Sequence, residues 1–181
     1  VITGGMTKPI HPEISFPLLL LFLISWLWLV LKKANKAGPM LVCGILLGAL
    51  FLTYFFHWSF LLVALGVYGL ILLSAKDYRQ LKHHIVFVIM AGIIAAPYFI
   101  SVLGGTNSQL YAETAARMGV YATHWPETFP RLAVALAWLA LFIWVSRRYK
   151  LNQAKRSHFI LALLIANVIY PNHQIITGLT I

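Results

Sequence analysis

Apolar stretches about as long as a bilayer is thick alternate along this chain with short polar joints, and the lysines and arginines gather in every second joint. Six stretches stand out: Ile14 to Leu31, Pro39 to His57, Ser59 to Ala75, Ile85 to Leu103, Leu132 to Ser146, and Ser157 to about Gln174. Each is near the ~20 residues an α-helix needs to cross ~30 Å of hydrocarbon, although the fifth is short and the sixth turns polar before it ends. Hydrocarbon offers no water to an unpaired backbone group, so spans this apolar must be helices. The two-residue alternation of a membrane barrel is absent. The pattern predicts an all-α fold: a polytopic membrane helix bundle of about six transmembrane helices plus a short external interfacial helix, in one membrane domain.

The joint after the first stretch holds Lys32, Lys33 and Lys36; that after the third holds Lys76, Arg79 and Lys82; that after the fifth holds Arg147, Arg148, Lys150, Lys155 and Arg156. By the positive-inside rule these three face the cytoplasm. The His57 to Ser59 turn, the segment Gly104 to Arg131 and both termini then lie outside, as expected of a multi-pass protein of the plasma (inner) membrane. The chain opens at Val1 and stops within an apolar run at Ile181, and it reads as an internal piece of a longer protein.

Composition agrees, with 61% hydrophobic and 10% charged residues, far from the range of soluble domains. The net charge of +10 raises nucleic acid as a partner. However, the basic residues sit in short joints rather than on one groove-lining surface, so membrane lipid is the expected partner and nucleic acid is not. Cys43 stands alone in mid-span, which excludes an internal disulfide. No span carries Asp, Glu, Lys or Arg near its centre, which weighs against a coupled transporter.

Within the spans, Gly44 and Gly48 form a Gly-x-x-x-Gly pair, and Gly66 and Gly69 thin the third stretch; small residues let helix backbones approach closely in lipid. Pro97 predicts a kink between Ile93 and Tyr98. Trp58, Tyr98 and Trp125 are expected as anchors at the outer interface. His83 and His84, beside Lys82, are expected to be solvated.

Chemistry can collect in two places. The first is the external segment, where Thr106 or Asn107 can cap a helix from Ser108 to Met118 that Gly119 stops. Glu113 and Arg117, four apart, can pair on it for ~0.3 to 0.5 kcal/mol. One reading is a solvated helix lying on the membrane with Leu110 and Met118 dipping in. The other notes that Tyr111, Glu113, Arg117, His124, Trp125 and Glu127 gather acids, a fixed cation, an imidazole and ring faces into one long loop. Arg117 and His124 can hold a phosphate or pyrophosphate, and Glu113 or Glu127 can serve as a general base.

The second place is the end of the sixth stretch, Asn167 to Gly178. On a continuing helix, Asn167, Pro171 and Gln174 share a face and amides project just below the outer headgroups. Alternatively the helix ends at Pro171, and Asn172, His173 and Gln174 are interfacial loop residues. The three external histidines, His11, His124 and His173, match no compact ligand spacing, so no metal site and no cofactor is expected.

The run from Tyr111 through Glu113 and Arg117 to Gly119, then Thr123, His124 and Pro126, and later Asn172, His173, Gln174, Thr177 and Gly178, resembles segments of large bacterial multi-pass proteins similar in layout to the GT-C membrane glycosyltransferases. The resemblance covers residues 98–181. It implies a polyprenyl-phosphate or polyprenyl-diphosphate sugar donor and an active site on the external face. It also implies an acidic residue in an external loop near the amino terminus, which has no match here, since the surroundings of Glu13 do not fit that pattern. The resulting expectation is a glycosyltransferase with Glu113 or Glu127 catalytic and Tyr111, Arg117, His124, Asn172, His173 and Gln174 binding the lipid-linked donor. The alternatives are a transporter or flippase for lipid-linked saccharides and a scaffold without chemistry.

Overall fold

A computed structural model describes residues 12–32, 36–53, 55–105, 129–150 and 155–177, and the described residues are helical apart from short turns, with no strand among them. The helices are α1 (Pro12–Leu31), α2 (Ala37–Phe51), α3 (Phe55–Ser74), α4 (Tyr78–Gly105), α5 (Phe129–Arg148) and α6 (Lys155–Ile169). A 3-10 turn (Tyr170–Asn172) and the one-turn α7 (Gln174–Thr177) follow. Three stretches, Phe56–Ser74, Tyr78–Ser101 and Phe129–Arg148, are long and apolar enough to cross a membrane, and α1 and α2 add shorter apolar helices. This is a membrane protein with an all-helical bundle fold.

The six apolar stretches correspond to the six long helices, but several boundaries move. The turn expected at His57 to Ser59 falls earlier. Leu52 leaves helical geometry at φ −84° and ψ 0°, and the Thr53 hydroxyl donates to the Leu50 carbonyl at 2.7 Å, taking up an acceptor at the helix end. His57, Trp58 and Ser59 therefore belong to the first turns of α3. The fourth helix begins at Tyr78, seven residues before Ile85, because Asp77 caps it: Asp77 Oδ1 accepts from the Gln80 amide at 3.0 Å. It then runs on through Pro97.

The α3–α4 joint is only three residues long. The Asp77 amide donates to the Leu72 carbonyl at 3.0 Å and the Lys76 amide to Leu73 at 3.1 Å, the paired bonds of a Schellman ending. That ending needs a left-handed residue, and Lys76 supplies it at φ 55° where glycine is usual. Lys150 does the same after α5, at φ 52°.

Packing centres on two pairings. α2 lies against α1 and α4, while α6 lies against α3, α5 and α1. The glycine pair does what its spacing suggests: a Cβ on Gly48 would stand 2.7 Å from Ile94 Cβ, and one on Gly44 3.0 Å from Met90 Cβ. Gly48 has no room for a side chain and Gly44 little, so the α2 backbone packs directly against the Met90 and Ile94 side chains of α4. Gly66 faces open space, and Gly69 only touches the His84 ring at 3.8 Å, so neither thins a close crossing.

On α4 the buried face reads Gln80, His84, Phe87, Ala91 and Ala95, steps of three and four that mark one side of a helix. Its polar end meets Trp26 of α1 and Tyr68 of α3, whose rings stand edge to face at 5.3 Å. Trp58 is likewise interior rather than interfacial, packed on Phe51 at 5.2 Å and Phe99 at 5.9 Å.

Candidate functional site

Polar side chains collect at both ends of the bundle. One end gathers the joints after α1, α3 and α5, hereafter the basic end; the other carries the start of α3, the end of α4, the start of α5 and the segment after α6.

At that second end, the amide-rich segment follows neither of its two expected paths. Pro171 has no N–H to give the Asn167 carbonyl and its ring crowds that carbonyl, so α6 closes at Ile169. The chain stays near helical geometry through the 3-10 turn and resumes as α7 at Gln174. Asn167 is exposed whereas Gln174 is buried, so they do not share a face. Asn172 Nδ2 donates back to the Val168 carbonyl at 2.8 Å, and His173 Nδ1–H donates to the Tyr170 carbonyl at 2.7 Å. The His173 ring also stacks on Tyr170 with centroids 6.2 Å apart.

Tyr170 ties this segment to α3: its hydroxyl lies 2.7 Å from Ser59 Oγ, and its ring meets Phe60 edge to face at 5.9 Å. His173 is thereby oriented by two contacts to one tyrosine, itself fixed to a neighbouring helix. The remaining residues expected here, Tyr111, Glu113, Arg117, His124 and Glu127, lie outside the described residues, as does the expected helix from Ser108 to Met118.

The basic end holds a network that sequence reasoning missed. Lys36, buried between α1 and α2, donates from Nζ to Gln80 Oε1. Gln80's amide is held by Asp77, and Asp77 Oδ2 lies 3.7 Å from Lys155 Nζ at the start of α6. Three joints are thus linked, by side chains at Lys36–Gln80 and Asp77–Lys155 and through the backbone N–H of Gln80 between them. The Lys155 pair is partly exposed and contributes at most about 1 kcal/mol. Burial lowers the pKa of Lys36, nearby Lys155 lowers it further, and Asp77 opposes both.

One turn deeper, His84 is buried rather than solvated. Its Nε2–H donates to the Leu65 carbonyl at 3.1 Å, and its ring meets Phe87 at 5.1 Å and Tyr68 at 5.4 Å. That bond fixes the tautomer with a lone pair on Nδ1, which has no partner among the described residues, and neither has Trp26 Nε1–H. The signal that could have found this network is Asp77 itself. Read as a cap, it starts α4 at Tyr78 and throws Gln80 and His84 onto the face that Phe87 and Ala91 bury.

Among the described residues no three His, Cys, Asp or Glu side chains stand where they could hold a metal ion. Comparison of the chain with known families, with characterised proteins and with solved structures finds no match.

Proposed function

We propose that this chain is the membrane domain of a glycosyltransferase that moves a sugar from a polyprenyl-phosphate or polyprenyl-diphosphate donor to an acceptor at the outer face of the plasma (inner) membrane. The observation that carries the reading is the gathering of the basic joints at one end. The positive-inside rule assigns that end to the cytoplasm. The Tyr170-anchored His173 then belongs to the external end, where α4 finishes and α5 begins on either side of the segment that holds Arg117 and His124 in the sequence.

In this reading Arg117, His124 and His173 bind the donor's phosphate, and Tyr111, Asn172 and Gln174 complete its pocket. Glu113 or Glu127 removes the proton from the acceptor hydroxyl as that oxygen attacks the anomeric carbon. The bond from that carbon to the phosphate oxygen breaks, and Arg117 and His124 offset the charge that develops on the leaving phosphate.

The test is transfer of radiolabelled sugar from polyprenyl-linked donors by the protein in liposomes. Arg117→Ala and His173→Ala should each lower turnover about a hundredfold with helical content unchanged, as expected for loss of a group that meets developing charge. Movement of donor between leaflets with no transfer would overturn the reading in favour of the transporter.

A further inference from the structure

A cavity of about 330 Å³ lies at the basic end between α3, α5 and α6. Its volume is at the lower end of the ~300 to 1,000 Å³ typical of small-molecule sites. Ile71, Phe142, Ile143 and Leu161 make an apolar wall. Against it stand Ser146 and Arg147 from the last turn of α5 and Ser157 and His158 from the first turn of α6.

Two features distinguish this from a packing gap. Ser146 is only 6% exposed, and its hydroxyl has no hydrogen-bond partner among the described residues. A buried hydroxyl left unpaired is a costly arrangement that a bound acceptor would relieve. Arg147 likewise has no ion-pair partner among the described residues. The acid at this end, Asp77, is already engaged by Lys155 and by the amide of Gln80. An uncommitted guanidinium, an unsatisfied hydroxyl, a second buried serine and an imidazole thus converge beside an apolar wall.

The geometry points to a binding site for an anionic phospholipid of the leaflet at the basic end, its phosphate held by Arg147, Ser146, Ser157 and His158 and its acyl chain laid along Ile71, Phe142, Ile143 and Leu161. Phosphate oxygens accept from arginine in the paired geometry that guanidinium offers, and from hydroxyls at the same time. The apolar wall selects a lipid-borne phosphate over the free ion. The site is independent of the proposed sugar transfer, which belongs to the other end of the bundle.

The test is native mass spectrometry of the delipidated protein titrated with phosphatidylglycerol, with phosphatidylcholine and with inorganic phosphate. Phosphatidylglycerol should bind about tenfold more tightly than phosphatidylcholine, and the double variant Ser146→Ala, Arg147→Gln should lose about that factor, as expected for one charge-assisted bond. Arg131→Gln, at the opposite end of α5, should leave the preference intact. Equal retention of the two lipids, or an undiminished preference in the double variant, overturns the site. Displacement of phosphatidylglycerol by an equal concentration of inorganic phosphate overturns the lipid assignment and makes the free ion the ligand. A second measurement needs no variant: a phosphatidylglycerol photoactivatable near its headgroup should crosslink the wild-type protein within 142–147 or 157–161. Adducts confined to α1 and α2 would overturn the site.

Discussion

α2 and α5 are both apolar helices, yet seven of the fifteen residues of α2 are buried and only two of the twenty of α5. α2 is the more hydrophobic of the two, but apolarity alone does not bury a helix here, because lipid solvates leucine as well as a neighbouring helix does. What α2 has is a pair of glycines that bring its backbone against Met90 and Ile94 of α4, and a lysine at its start bonded to Gln80. α5 offers no comparable notch: it buries Ala135 and Ser146 and turns Trp138, Trp144 and Leu141 outward. Association within this bundle follows small residues and polar links, as expected where no water drives helices together.

The strongest way to break this comparison is to fill the notch. Gly48→Leu should destabilise the bundle by about 3 kcal/mol, since its side chain must enter space that Ile94 occupies. Trp144→Leu on the exposed face of α5 should change stability by no more than about 0.5 kcal/mol. Denaturant unfolding in mixed micelles reads both. Similar losses in the two variants would mean that α5 is held as firmly as α2.

A smaller effect sharpens the contrast. Lys76 and Lys150 hold the same left-handed conformation after their helices, so glycine at either should relieve about 1 kcal/mol of local strain. Lys76→Gly, in the joint tied to Lys36 and Lys155 through Asp77 and Gln80, should raise the global melting temperature. Lys150→Gly, after the loosely packed α5, should slow hydrogen exchange at the end of that helix and leave the melting temperature where it was. Equal rises in both would remove the distinction.

The smallest effect is the pH dependence of the Lys36 link. Because burial lowers its pKa in the folded state, the cost of keeping it charged is fully present below that lowered value and disappears as pH climbs to the ordinary lysine value. Across that window the wild type should gain stability relative to Lys36→Met, measured as the difference in melting temperature at successive pH values. A flat difference would show that Lys36 is solvated in the folded protein.

The six long helices among the described residues and the grouping of the basic joints were legible from hydropathy and charge, because both follow from the cost of exposing polar groups to hydrocarbon. The glycine pair was legible too, since four-residue spacing puts both on one face. The ends of the helices were not. The α2–α3 turn is set by one threonine hydroxyl, and the start of α4 by one aspartate, and neither event changes hydropathy over a window. That is why His84 reads as solvated from its basic neighbours while the fold buries it. The path through Pro171 escaped for a related reason: proline removes one bond, and the surrounding contacts, here Tyr170 on Ser59, decide whether the chain turns away or tightens and goes on.

The length of α2 carries a consequence for the bilayer itself. Fifteen residues rise about 22 Å, well short of the ~30 Å of hydrocarbon that its neighbour α4 is long and apolar enough to cross. Its glycines fasten it to α4, so it cannot slide to relieve the difference, and the lipid beside it must thin instead. The protein should therefore favour short-chain bilayers over long-chain ones, and in a mixed membrane it should draw the shorter lipids to the α2 side of its perimeter.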